Sequence, residues 1–275
     1  MFGLLLALIF FGCDDTNLDS QREISLVVEP GETVNTVGQI PAPIGYYRDF
    51  KGNEFEAWLR SAPLKSIDEP VMLHNGEQKY NQDVHYRVLD FDVGSRDLQQ
   101  CADAVMRLRG EFLYSSNQAD EIAFNFTSGD RIAFQKWKSG QRPVVKGNNV
   151  GWQACSSCDS TYESFRKYMD NIFMFAGTAS LSKELHSKNV EDLAAGDVFI
   201  QGGFPGHAVI VMDVAVSDKG SKVFLLAQSY MPAQDIHILK NENNFGISPW
   251  YDLDEIEGSL KTPEWTFSSS DLKSW

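Results

Sequence analysis

A change of hydrophobic period part-way along this chain constrains its fold more than any other feature. Between residues 98 and 114 the positions Leu98, Cys101, Ala102, Val105, Leu108 and Phe112 recur at i, i+3, i+4 and i+7, the spacing of one apolar helical stripe. Asp97, followed by Gln100 three residues later, has the form of a capping box and puts the start of the helix near Asp97. Beyond Gly196 the period becomes two. Segments 198–201, 207–216, 223–229 and 236–239 have the composition of consecutive strands separated by turns that carry Gly, Pro or Asp-Lys-Gly. Helices first and a meander afterwards is the order of an α+β domain, with the cysteine-bearing helix packed on an antiparallel sheet.

Further helices are expected at 53–60, 162–175 and 180–186, and strands at 23–28, 71–74 and 86–91, the last two flanking Asn75-Gly76. Arg107, Arg109 and Glu111 are expected to make surface salt links on the long helix. Trp137, Trp152, Trp250 and Tyr251 are expected in the core or in the walls of a cleft.

The N-terminus has a different character. Residues 1–11 (MFGLLLALIFF) are apolar, yet too short for the roughly 20 residues a bilayer crossing needs, which suits the apolar region of a signal peptide at 1–12. Phe10-Phe11-Gly12-Cys13 resembles a bacterial lipobox. That resemblance implies a lipid on Cys13, a tether at 13–22, and one folded domain at 23–275 held on the cell envelope, most simply at the outer membrane. The acidic stretch after Cys13 resembles the surface-export signal of some bacterial lipoproteins. A net charge of −14 disfavours nucleic acid and anionic lipid headgroups as partners, since both select a positive surface.

Cys155 and Cys158 form a Cys-Ser-Ser-Cys pair. In an exported protein the pair suits a small disulfide. A redox pair and a metal pair are the other readings, the metal one lacking a second Cys or His pair at ligand spacing. No metal or organic cofactor is required by any motif.

Three separated residues fit one chemical arrangement. Cys101 lies in the first turn of its helix, where unpaired N–H groups and the dipole favour a thiolate over the ordinary thiol of pKa about 8.5. The backbone N–H of Cys101, with Gln99 or Gln100, is the candidate oxyanion donor. His207 opens a strand after Gly202-Gly203-Phe204-Pro205-Gly206. Gln228 lies on the next strand, where its amide oxygen can orient the imidazole, the third role of a Cys-His-polar triad. Asp213 is the less suitable orienter, about 20 Å along the strand. Asp235 and His237 form a second pair on the last strand.

The helix-borne Cys101, Gly196-Asp197-Val198-Phe199-Ile200 and His207-Ala208-Val209-Ile210-Val211 together resemble the NlpC-type papain-like cysteine hydrolases. That resemblance implies a papain-like arrangement of the α+β fold, and cleavage of peptide or amide bonds, with peptidoglycan peptides the first substrate. Over more of its length the chain is similar to a family of bacterial lipoproteins catalogued as domain of unknown function 4846. The stretches that carry this are 98–109, 205–211 and 227–234. The expectation is therefore an envelope thiol hydrolase with Cys101 as nucleophile, His207 as base and Gln228 as its orienter. The alternative is a non-catalytic lipoprotein that binds glycan or protein through the same cleft.

Overall fold

Five helices and one large antiparallel sheet organise residues 34–49, 52–155 and 159–275, the part of the chain described by the computed structural model. The expected leader, Cys13, the tether, the strand at 23–28 and Cys158 lie outside the described residues, and with Cys158 so does the expected disulfide. The helices are α1 (Glu54–Ser61), α2 (Cys101–Ser115), α3 (Phe134–Lys138), α4 (Tyr162–Phe175) and α5 (Thr178–Glu184). The main strands are β1 (His85–Val88), β2 (Val198–Gln201), β3 (His207–Ser217), β4 (Lys222–Gln228), β5 (His237–Leu239) and β6 (Leu272–Ser274). Their order across the sheet is β1-β5-β4-β3-β2-β6, each neighbouring pair antiparallel.

The expected meander is β2-β3-β4-β5, in sequence order. Of the two outer strands, β1 answers to the strand expected at 86–91, though it joins the large sheet, and β6 was not legible. β1 closes one side, pairing His237 with Val88. At the other side the chain returns from its far end, and β6 pairs Leu272 with Phe199. Residues 71–74 form isolated bridges, Met72 to Gln78 and Leu73 to Gln234, instead of a strand.

Strand alternation gives the sheet two apolar faces. Ala208, Ile210 and Met212 of β3 join the larger core with Val105, Leu108 and Phe112 of α2 and Phe165, Met169 and Ile172 of α4. Val209 and Val211 point the other way, into a smaller core closed by Leu260 and Phe267 of the C-terminal hairpin Ser259–Lys261 and Thr266–Ser268.

α2 differs from the helix expected. It begins at Cys101, with Asp103 accepting the Gln100 N–H at 3.0 Å. Asp97 instead accepts from the Ala233 N–H at 2.7 Å and so holds the 229–234 loop. The helix is also buried on almost every side, lying between the sheet and α1, α4 and α5. Gly110 is what lets α4 approach: a Cβ there would stand 3.2 Å from Met169 Sδ and from Phe165 Cζ. The charged residues of α2 are therefore not on the surface. Arg107 is 1% exposed, and the half-buried Arg109 guanidinium lies over the rings of Phe55, Phe112 and Trp275.

Candidate functional site

The N-terminus of α2 and the first residues of β3 meet at the β3–β4 end of the sheet. Cys101 is the first residue of α2 and is 7% exposed. Burial pushes its thiol up to about 11, with the Asp103 carboxyl adding to the rise. Hydrogen bonding from the backbone of Ala102, Ala208 and Cys101 itself pulls the other way and does not prevail. The helix-terminus effect is thus present but outweighed, because desolvation of a thiolate in an apolar contact exceeds what a few N–H dipoles return. The expected low-pKa thiolate is corrected to a neutral thiol.

His207 is almost fully buried, and burial lowers its imidazole to about 4, against the opposing influence of Gln228 and Glu264. Its Nε2 lies 2.8 Å from Gln228 Oε1, the contact expected from the register of neighbouring strands. The ring packs among Tyr230, Trp265 and Phe267, with centroids 4.9, 5.3 and 5.9 Å away. Phe267 belongs to the smaller core, so the imidazole occupies the sheet face away from α2.

The structure therefore brings the three candidates to one strand end with unequal intimacy. His207 and Gln228 are bonded directly. The Cys101 thiol meets the backbone of Ala208, one residue beyond His207. Among the described residues Gln228 is the one hydrogen-bond partner of the His207 ring, so no bond joins it to the thiol. Tyr230 links the two surroundings: its ring lies against His207, and its hydroxyl is raised by burial, Glu264 and Cys101.

Of the oxyanion candidates, Gln100 is committed elsewhere, while the Gln99 amide nitrogen is buried with no hydrogen-bond partner among the described residues. The Gln100 N–H is taken by Asp103, and its amide donates to Asp97 at 3.0 Å. Gln99 Oε1 accepts from Arg107 at 2.8 Å, which turns that side chain toward the body of α2. The backbone groups around the sulfur are those of Cys101, Ala102 and Ala208. Asp213 is also spoken for: its buried carboxylate accepts from Arg48 at 2.6 Å and Arg60 at 2.7 Å.

Two further members of the site, Glu264 and Lys79, were not legible in the sequence. Gln228 Nε2 donates to Glu264 Oε2 at 2.6 Å, and Lys79 Nζ meets both Glu264 oxygens at 2.7 and 3.0 Å. His237, noted only as part of a second pair, also belongs here, its Nε2 lying 3.5 Å from Gln228 Nε2. His237 Nδ1 donates to the Asp235 carbonyl at 2.9 Å, and burial lowers the ring to about 3. The Asp235 carboxylate turns away to Lys65, at 3.0 Å. The local signal for Glu264 was its neighbour Trp265, an aromatic on a short hairpin, which did not by itself point to this face.

An α+β protein with a buried cysteine at a helix start and a histidine–glutamine pair on the adjoining sheet is the class these features define. The chain belongs to the family described as domain of unknown function (4846), whose model matches residues 37–274. No curated protein and no solved structure matches it.

Proposed function

We propose that this chain is a papain-like thiol hydrolase of amide bonds, carried on the cell envelope by a lipid on Cys13. The observation that carries the reading is the 2.8 Å pairing of His207 with Gln228 at the mouth of β3, where the next residue, Ala208, meets the helix-borne thiol. In the proposed reaction the Cys101 sulfur attacks the amide carbonyl carbon while its proton passes to His207 through a water at the end of β3, since no hydrogen bond joins the two side chains. The tetrahedral adduct expels the amine, which takes that proton. Water then cleaves the thioester, releasing the acid and restoring the thiol. Because thiol and imidazole both rest neutral, the proton must move during the attack. Peptidoglycan peptides are the first substrate class, on the resemblance alone. The apolar leader and Gly12-Cys13 support the envelope assignment.

The test is alkylation of the folded protein by iodoacetamide, followed by mass spectrometry. The proposal expects Cys101 to be labelled in the native state, at a rate that falls about a hundredfold in His207→Ala, the low end of general-base effects. Cys101 that stays unlabelled until the chain unfolds would end the hydrolase reading. A second reading has its own support: a thiol only 7% exposed and raised to about 11 is that of a core cysteine. On that reading the protein binds glycan or protein at the same end of the sheet without catalysis.

A further inference from the structure

The geometry points to Glu264, anchored by Lys79, as the positioning residue that decides which nitrogen of His207 carries the proton. This inference rests on the proposed role of His207 as a base and adds what selects the basic atom.

Lys79 is 8% exposed, and its ammonium contacts both oxygens of Glu264, which holds that carboxylate still. An ionised carboxylate only accepts hydrogen bonds. The Gln228 atom 2.6 Å from Glu264 Oε2 must therefore be the amide nitrogen. The two ends of an amide look alike by shape, and here a neighbouring charge tells them apart. The other end, Oε1, is then forced toward His207 at 2.8 Å. A carbonyl oxygen only accepts, so the His207 nitrogen facing it, Nε2, must bear the hydrogen. His207 is neutral at neutral pH, since burial holds it at about 4. Nδ1 is left with its lone pair.

His237 reinforces the order. Its Nδ1 donates to the Asp235 carbonyl, so in the neutral ring Nε2 is an acceptor. It faces the nitrogen of Gln228, which again requires the amide nitrogen on that side. Reversing Gln228 would set its carbonyl oxygen against the Glu264 carboxylate and the lone pair of His237 together. Glu264 makes no hydrogen bond to the thiol or the imidazole: it orders the tautomer through Gln228, while its charge favours the protonated ring from a distance.

The experiment is a long-range ¹H–¹⁵N spectrum of the histidine side chains at neutral pH, recorded on the full chain without substrate. Wild type is expected to show His207 as a single Nε2–H tautomer, with Nδ1 at a pyridine-like shift. In Glu264→Ala the Nδ1–H form is expected to appear, the two nitrogen shifts of His207 moving toward each other. In Glu264→Gln, whose oxygen can still accept from Gln228, most of the wild-type pattern should return. If Glu264→Ala does not fold, Lys79→Met loosens the same carboxylate from its other side and should move the shifts in the same direction. Nδ1–H as the main wild-type form overturns the inference. So does a His207 tautomer unchanged in a folded Glu264→Ala or Lys79→Met protein. Neither readout needs turnover or thiol reactivity. A failed alkylation test therefore removes the hydrolase reading and leaves the tautomer result standing, and the reverse also holds.

Discussion

The guanidinium of Arg107 donates to the Glu111 carboxylate at 2.6 Å, one turn further along α2, and both side chains are buried. Tyr162 also donates to Glu111, at 2.8 Å, and Arg107 reaches the Asp92 carbonyl at 2.9 Å. Removing one partner strands the other charge in the interior, which costs about 3–5 kcal/mol. Glu111→Ala is expected to lower the unfolding free energy by about that amount, and Arg107→Met with Glu111→Leu to recover most of it. Urea midpoints measure both. A single variant within about 1 kcal/mol of wild type would show that water reaches the orphaned guanidinium.

The Cys101 thiol makes stability fall at high pH. Its folded value is raised above the unfolded one, so the neutral thiol favours the fold fully below about 8.5. That contribution is lost as pH rises toward about 11. Between pH 8.5 and 10.5 the denaturant midpoint of wild type should drop more steeply than that of Cys101→Ala. Parallel slopes would mean that the sulfur is better solvated than its surroundings imply.

His237 acts at the acid end with the opposite sense. Its folded value, about 3, lies below the unfolded one of roughly 6.5. Its contribution is therefore complete above pH 6.5 and is lost as the unfolded chain takes up a proton at lower pH. The thermal midpoint is expected to fall between pH 6.5 and 4 more steeply in wild type than in His237→Gln. Equal slopes in the two proteins would contradict the buried neutral ring.

Gly206 admits the chain into β3. A Cβ at this position would lie 2.7 Å from the Gln201 carbonyl oxygen and 2.4 Å from Thr178 Oγ1. The backbone oxygen cannot turn aside, so Gly206→Ala must shift the entry to His207. Crowding of this kind costs about 1–3 kcal/mol. A displaced His207 side-chain resonance should accompany the lower melting midpoint. An unchanged midpoint and resonance would show that the turn adapts freely.

For the envelope assignment, the expected observation is an N-terminal Cys13 carrying diacylglycerol in protein isolated from a membrane fraction, seen by intact mass. Cys13→Ser should leave the leader uncleaved and the lipid absent. An unmodified Cys13 would refute the anchor.

Much of the framework was legible because it is local. The periodicity of residues 98–114 and the alternation in 198–239 report which faces are buried, and α2 and β2 to β5 follow them closely. The pairing of His207 with Gln228 was legible too, since a short turn at Asp218-Lys219-Gly220 nearly sets the register. The oxyanion donors were less so: Gln100 gives its N–H to Asp103 and its amide to Asp97, whereas Gln99 meets Arg107 through its oxygen and keeps its amide nitrogen unpartnered among the described residues. The surface reading of Arg107 failed for a related reason. A single apolar stripe says nothing about what covers the opposite side, and here α4 and α5 do.

The sequence by itself determined the α+β order, the helix that carries Cys101 and the strand that starts at His207, because hydrogen-bonding periods and turn residues act over a few positions. Only the tertiary structure decided the electrical state of the site. Burial, which no single segment controls, leaves the thiol and the imidazole neutral. Glu264 stands 36 residues from Gln228 and 185 from Lys79, and no local pattern relates them. They meet because the C-terminal hairpin folds over the second face of the sheet, where an ion pair shielded from water can orient a neutral amide.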